Sequence, residues 1–165
     1  MKLIYQNDTR LYPVIRRIGC FVRSCGGIAE LKTGRALTAG QINELWDWAK
    51  STGNVNREDN VRRSAPIATK ALRMLGDKGS FVEVATFQNG RTSYYASVSP
   101  EMRARPKSYI QKIKTGGTVG THFRVVGYDG EVLFDPYNPP PKALSIFYSI
   151  IYAYVGGKDA GEDNQ

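Results

Sequence analysis

Residues 121–128 and 131–134 are two β-branched, aromatic-rich runs separated by Asp129-Gly130. That dipeptide readily closes a hairpin, because aspartate and glycine tolerate the positive φ of a tight turn. An isolated two-stranded ribbon is marginal in water, so the rest of the chain has to supply further strands and a layer to cover one face. With the turn centred on Asp129-Gly130, residue 122 lies opposite 137, and Asp135 comes within two positions of His122.

Upstream of this hairpin the pattern is helical. Cys20 follows Gly19 and opens a helix that closes before Gly34. Gly26 and Gly27 inside it each cost about 1 kcal/mol against alanine, so the segment is expected to be buried with another backbone close against it. Thr38 caps a helix with Ile42, Leu45, Trp46 and Ala49 on one face, ended by Gly53. Residues 54–60 form a polar loop. Ser64 and Pro66 start a third helix through Ala68, Leu72 and Leu75 that stops at Gly76. From Ser80 the period changes to that of strands. Phe81, Val84 and Phe87, then Tyr94, Tyr95 and Val98, flank Asn89-Gly90 as a second hairpin that exits at Ser99-Pro100. Residues 108–114 alternate as a strand before Gly116-Gly117. Beyond Pro139-Pro140-Pro141, residues 143–155 have the β-branched content of a strand and the length of a helix, and both readings stay open. Helices first and an antiparallel sheet second define an α+β chain, with one domain over residues 1–157 and a polar tail, 158–165, expected to be disordered.

The 165 residues, 41% of them hydrophobic, suffice for a core without metal or disulfide staples. Twenty-three Lys and Arg against fifteen Asp and Glu give a net charge of +8. Such a surface attracts polyanions, whether nucleic acid, teichoic acid or an anionic wall, although the same excess also serves as a solubilising face. No apolar run reaches the ~18 residues that span a bilayer, and the first residues lack the apolar core of a secretory signal, so a soluble protein made in the cytoplasm is expected. Cys20 and Cys25 have no second pair, which excludes a disulfide framework and a four-thiolate zinc site. There is no phosphate loop, dinucleotide fingerprint, metal-spaced cluster or serine elbow, so no metal and no cofactor are expected.

What the chain does offer is a set for thiol chemistry. Cleaving an amide with cysteine needs a thiolate, a histidine to keep it ionised and to protonate the leaving amine, and a third group to orient the ring. Cys20 stands at a helix start, where the positive end of the macrodipole favours a thiolate and unpaired amides await an oxyanion. His122 is the only histidine, at the start of a strand beside a glycine-rich loop expected to leave its ring accessible. Asp135 returns toward it along the partner strand. Cys25 competes as nucleophile, but a helix starting there has about two turns before Gly34, against about three from Cys20. Each residue taken alone has a plainer reading: a small buried hydrophobe for either cysteine, a structural histidine, a turn initiator in Asp135-Pro136. Their joint placement favours the triad Cys20, His122, Asp135.

A cysteine at a helix start after glycine, followed by Thr121-His122-Phe123-Arg124-Val125-Val126-Gly127-Tyr128-Asp129-Gly130 and Val132-Leu133-Phe134-Asp135-Pro136, resembles the papain-like cysteine peptidase superfamily, nearest its bacteriocin-processing, double-glycine peptidase branch. The resemblance implies a papain-like fold and the order Cys, His, Asp or Asn. It assigns Cys20 as nucleophile, His122 as general acid and base, Asp135 as the orienting group and Gln6 as the oxyanion donor. Gln6 lies further upstream of the cysteine than is usual in the family, and Asn138 is the alternative to Asp135. The basic charge of a small domain points to anionic peptidoglycan peptides as substrate, as for phage endolysins released to the wall through a holin. A protease acting on an intracellular protein and a non-catalytic, basic nucleic-acid binder are the alternatives.

Overall fold

The computed structural model describes residues 1–117 and 120–157. The expected tail, 158–165, lies outside the described residues. Four helices lead: α1 (Pro13–Ile18), α2 (Cys20–Thr33), α3 (Ala39–Ser51) and α4 (Ser64–Met74). The strands β1 (Ser80–Gln88), β2 (Arg91–Tyr94), β3 (Lys107–Thr115), β4 (Thr121–Val126), β5 (Val132–Phe134) and β6 (Ala143–Val155) follow, with the single turn α5 (Pro100–Arg103) between β2 and β3. All pairings are antiparallel, and the six strands form one sheet in the order β2-β1-β6-β3-β4-β5. The chain is therefore α+β. No helix among the described residues is long and apolar enough to cross a membrane.

The helix ends follow local chemistry. Thr38 and Gln41 form a reciprocal capping box at α3, and Gly34, at φ +69°, ends α2 in the left-handed conformation that glycine adopts without a Cβ penalty. α1 is a helix that the periodicity does not anticipate; six residues opened by Pro13 are too few to show a repeat. Residues 143–155 resolve as a strand, paired on both sides, with β1 and with β3. β2 stops at Tyr94, so Tyr95 and Val98 lie beyond the ladder, although Val98 still packs against the sheet.

Two apolar clusters sandwich the sheet. The larger joins α1 to α4 with Phe81, Ile110, Val125, Phe134, Ile150 and Tyr152. The smaller gathers Val84, Ala85, Ile151 and Ala153 beneath Tyr94, Val98, Met102 and Tyr109. The buried Tyr152 phenol shares a 2.5 Å hydrogen bond with Ser64, which ties the start of α4 to β6. α2 is buried along most of its length. A Cβ on Gly27 would stand 2.7 Å from Cδ1 of Phe134 and 3.3 Å from Cγ2 of Val125, so glycine is what lets the helix press onto β4 and β5.

An ion pair inside this layer fixes the amino-terminal segment. Arg23 Nη1 lies 2.6 Å from Glu30 Oε1, with neither side chain exposed. Arg23 Nε donates to the Ile4 carbonyl, its guanidinium lies 4.6 Å from the Phe134 ring centre, and Glu30 Oε2 accepts from the Leu37 amide. One buried pair thus binds the segment before α1, the loop before α3 and β5 to the same helix.

Candidate functional site

The junction between α1 and α2 presents Cys20. Gly19 bridges the two helices; a Cβ there would stand 2.6 Å from the Ile15 carbonyl oxygen, a backbone atom that cannot yield, so only glycine allows the second helix to begin at residue 20. No side chain caps α2 and no acid sits in its first turn, leaving its leading amides unclaimed by side chains. Cys25, just over one turn further along, is fully buried in the core, and burial pushes its thiol well above the ordinary range. Of the two thiols, Cys20 is the one that lines a cavity, together with His122, Gln6 and Tyr137.

His122 is carried by β4, and Asp135 follows β5. Val125 pairs with Phe134, the register that places 137 opposite 122, although the ladder shifts by one between Val125 and Val126. The turn is wider than a two-residue hairpin: Gly127 donates to Glu131 and Gly130 donates back to Gly127, with Gly130 at φ +85°. The hairpin nevertheless closes as its spacing requires, and His122 Nε2 lies 2.7 Å from Asp135 Oδ1. Asn138 does not take that place. Its backbone bonds to the Asn7 side chain at the surface instead.

The ring is less open than the neighbouring glycines imply, at 5% exposed, because the segment after β5 covers it. Tyr137 does the covering. Its ring stands edge-on to the imidazole, 6.1 Å between centres; its amide donates to Asp135 Oδ1 and its hydroxyl to the Arg16 carbonyl. Sequence reasoning gave this residue no role, although its place opposite 122 in the hairpin, two positions after Asp135, was the signal for it. The second carboxylate oxygen, Oδ2, is buried without a partner, so the charge of Asp135 falls on the imidazole.

Burial opposes a charge on His122, but the hydrogen bond to Asp135, then the thiol of Cys20 beside the ring, outweigh it and raise the imidazole to about 9. With Nε2 committed to Asp135, Nδ1 is the ring atom left for the thiol. The imidazole is thus held between the Asp135 carboxylate and the Cys20 sulfur.

Gln6 is 1% exposed and lines the same cavity, held there by its amide bond to the Pro136 carbonyl, 2.6 Å. Its side-chain nitrogen already donates to Ile15 O at 3.0 Å and lies 3.4 Å from Arg16 O, while Oε1 is buried without a partner. The structure thus brings Gln6, Cys20, His122 and Asp135 together, with the Gln6 donors turned toward the carbonyls of α1. Among the described residues no group of His, Cys, Asp and Glu is arranged to hold a metal ion. Comparison of the chain with family models, curated proteins and solved structures finds no match in any of the three.

Proposed function

We propose that the protein is an amide hydrolase of papain-like fold with a cysteine nucleophile, acting on bacterial peptidoglycan peptides. The observation that carries the reading is His122 held between the Asp135 carboxylate and the Cys20 thiol on the wall of one cavity of about 710 Å³. With the Cys20 proton already resting on His122 Nδ1, the thiolate adds to the substrate carbonyl. The oxyanion meets the leading amides of α2 and a Gln6 N–H, released when the longer contact to Arg16 is given up. His122 returns the proton to the amine, the C–N bond breaks, and an acyl-thioester remains on Cys20. A water, deprotonated by His122, then releases the acid and restores the thiol. Asp135 and Tyr137 keep the ring in the tautomer and orientation that both steps use.

The wall substrate is supported by the net charge of +8, which concentrates the protein on an anionic polymer. Purified peptidoglycan incubated with the protein should release new amino termini or free stem peptides, and the release should vanish in Cys20→Ser and His122→Ala, both of which should fold. If walls of several chemotypes yield no new termini while casein is cut, the intracellular-protease reading replaces this one. If neither is cut and single-stranded or duplex nucleic acid binds tightly, the protein is a binder.

A further inference from the structure

Part of the wall of the cavity is the loop that follows α3, and it is well fastened for a polar surface segment. Lys50 Nζ donates to the Asn56 carbonyl at 2.8 Å and lies 2.6 Å from Asp59 Oδ1. Asn56 N–H bonds to Asn60 O, and Asn60 N–H returns to Asn56 Oδ1, each at 2.9 Å; Val55 and Val61 close the base as an isolated bridge. Asp59 is held at φ +64°, a conformation that aspartate accepts only with local support. Glu58, Asp59, Asn60 and Val61 all line the cavity that holds Cys20 and His122.

The charges on this loop are unequal in what they leave over. Lys50 neutralises Asp59. Glu58 is exposed and has no ion-pair partner among the described residues. On other parts of the wall stand Arg17, exposed, and Lys112, whose ammonium lies within 5.8 Å of the ring centres of Phe123, Phe147 and Tyr148. The cleft therefore carries both signs: on the loop Glu58, unpaired, stands beside Asp59, which Lys50 neutralises, and elsewhere on the wall the ionised side chains Arg17 and Lys112 are basic.

We infer that Glu58 is a specificity residue that selects peptides carrying a free side-chain ammonium, and that the preferred substrate is a zwitterionic chain, with its amine at Glu58 and its carboxylates toward Arg17 and Lys112. This rests on the hydrolase reading. In a chain with fifteen acids against twenty-three bases, an acid fastened into the cleft lets an amine-bearing peptide enter a protein whose overall field repels cations.

The test uses soluble muropeptides in two forms, with free side-chain amines and with those amines acetylated, and measures cleavage by mass spectrometry. The native form should show a kcat/KM about fivefold higher, the scale of one exposed ion pair, expressed mainly in KM and shrinking at 0.5 M salt. Glu58→Gln should bring the ratio close to one, and Glu58→Lys should make the acetylated form the better substrate. Cleavage of both forms at equal rates by the wild type, or a ratio unchanged in Glu58→Gln, overturns the inference while leaving the hydrolase reading standing. Cleavage of neither form, with a Cys20 that alkylates normally, removes the peptidoglycan-peptide reading and this inference with it.

Discussion

Replacing Gly27 by alanine tests whether α2 is seated as closely as its glycine implies. The substitution has two opposed effects. Alanine improves helix propensity by about 1 kcal/mol. Its methyl, however, would stand 2.7 Å from Phe134 Cδ1, 3.1 Å from Cε1 and 3.3 Å from Val125 Cγ2, where carbon atoms settle at about 3.5 to 4.0 Å. Phe134 has little room to retreat: it is 4% exposed, stacked on Tyr5 at 6.0 Å and lies under the Arg23 guanidinium. Such overpacking costs about 1 to 3 kcal/mol, so the net effect is a loss of about 1 kcal/mol, rising toward 2 if the ring cannot turn. For a domain of this size that lowers Tm by about 2 to 8 °C. Gly40→Ala provides the control, because a Cβ there meets nothing closer than Thr38 Oγ1 at 3.9 Å, and it should keep the propensity gain. Thermal unfolding followed by circular dichroism compares the two. Because α2 carries Cys20 while β4 and the segment after β5 carry its partners, a shift of the helix by a fraction of an ångström should also lower kcat, toward the ~10²-fold loss that a full 1 Å misplacement brings. If Gly27→Ala stabilises as much as Gly40→Ala does, the close approach has been misread.

Asp135→Asn should lower kcat without abolishing it and move the basic limb of the kcat/KM profile from about pH 9 toward the ordinary histidine range, because the carboxylate hydrogen bond is the largest of the influences that raise His122. The sign for stability is the same. A histidine raised in the folded state contributes its full stabilisation below about pH 6.5 and loses it as pH passes 9, so denaturation midpoints of the wild type should fall across that window and those of His122→Ala should not. Tyr137→Phe removes the bond to Arg16 but keeps the edge contact, and should lower kcat severalfold with KM unchanged; a change confined to KM would place Tyr137 in substrate binding instead. Cys25→Ser should retain hydrolysis while destabilising the core by about 1 to 3 kcal/mol, measured by urea unfolding, since it puts a hydroxyl where no exposure remains.

How much of this was legible depended on the range of the interaction that decides each element. α2, α3 and α4 are bounded by glycines, a capping threonine and a proline, all local signals, and their ends agree with the sequence to within a residue or two. The His122–Asp135 contact was legible because a hairpin converts sequence separation into distance by counting from its turn. Four features were not. α1 is too short for periodicity, and β6 shows its nature only through two neighbours distant in sequence. The orientation of Gln6 is set by carbonyls of a helix that the sequence does not announce. The role of Tyr137 depends on three contacts to three different segments, none visible in a string of residues.

The place of β6 bears on how such a molecule comes into being. Among the described residues it is the last strand in sequence, yet it lies third in the sheet, where it links the β1–β2 ribbon to the β3–β4–β5 ribbon. While the polypeptide is being synthesised, the two ribbons can form early but have no shared edge to dock on, and Ile110 and Val84 remain wet on opposite sides of an absent partner. The sheet closes only after residue 155 has emerged. Its assembly is a late, long-range event of the kind that folds slowly, and until then β1 and β3 each present an open edge to any neighbouring chain.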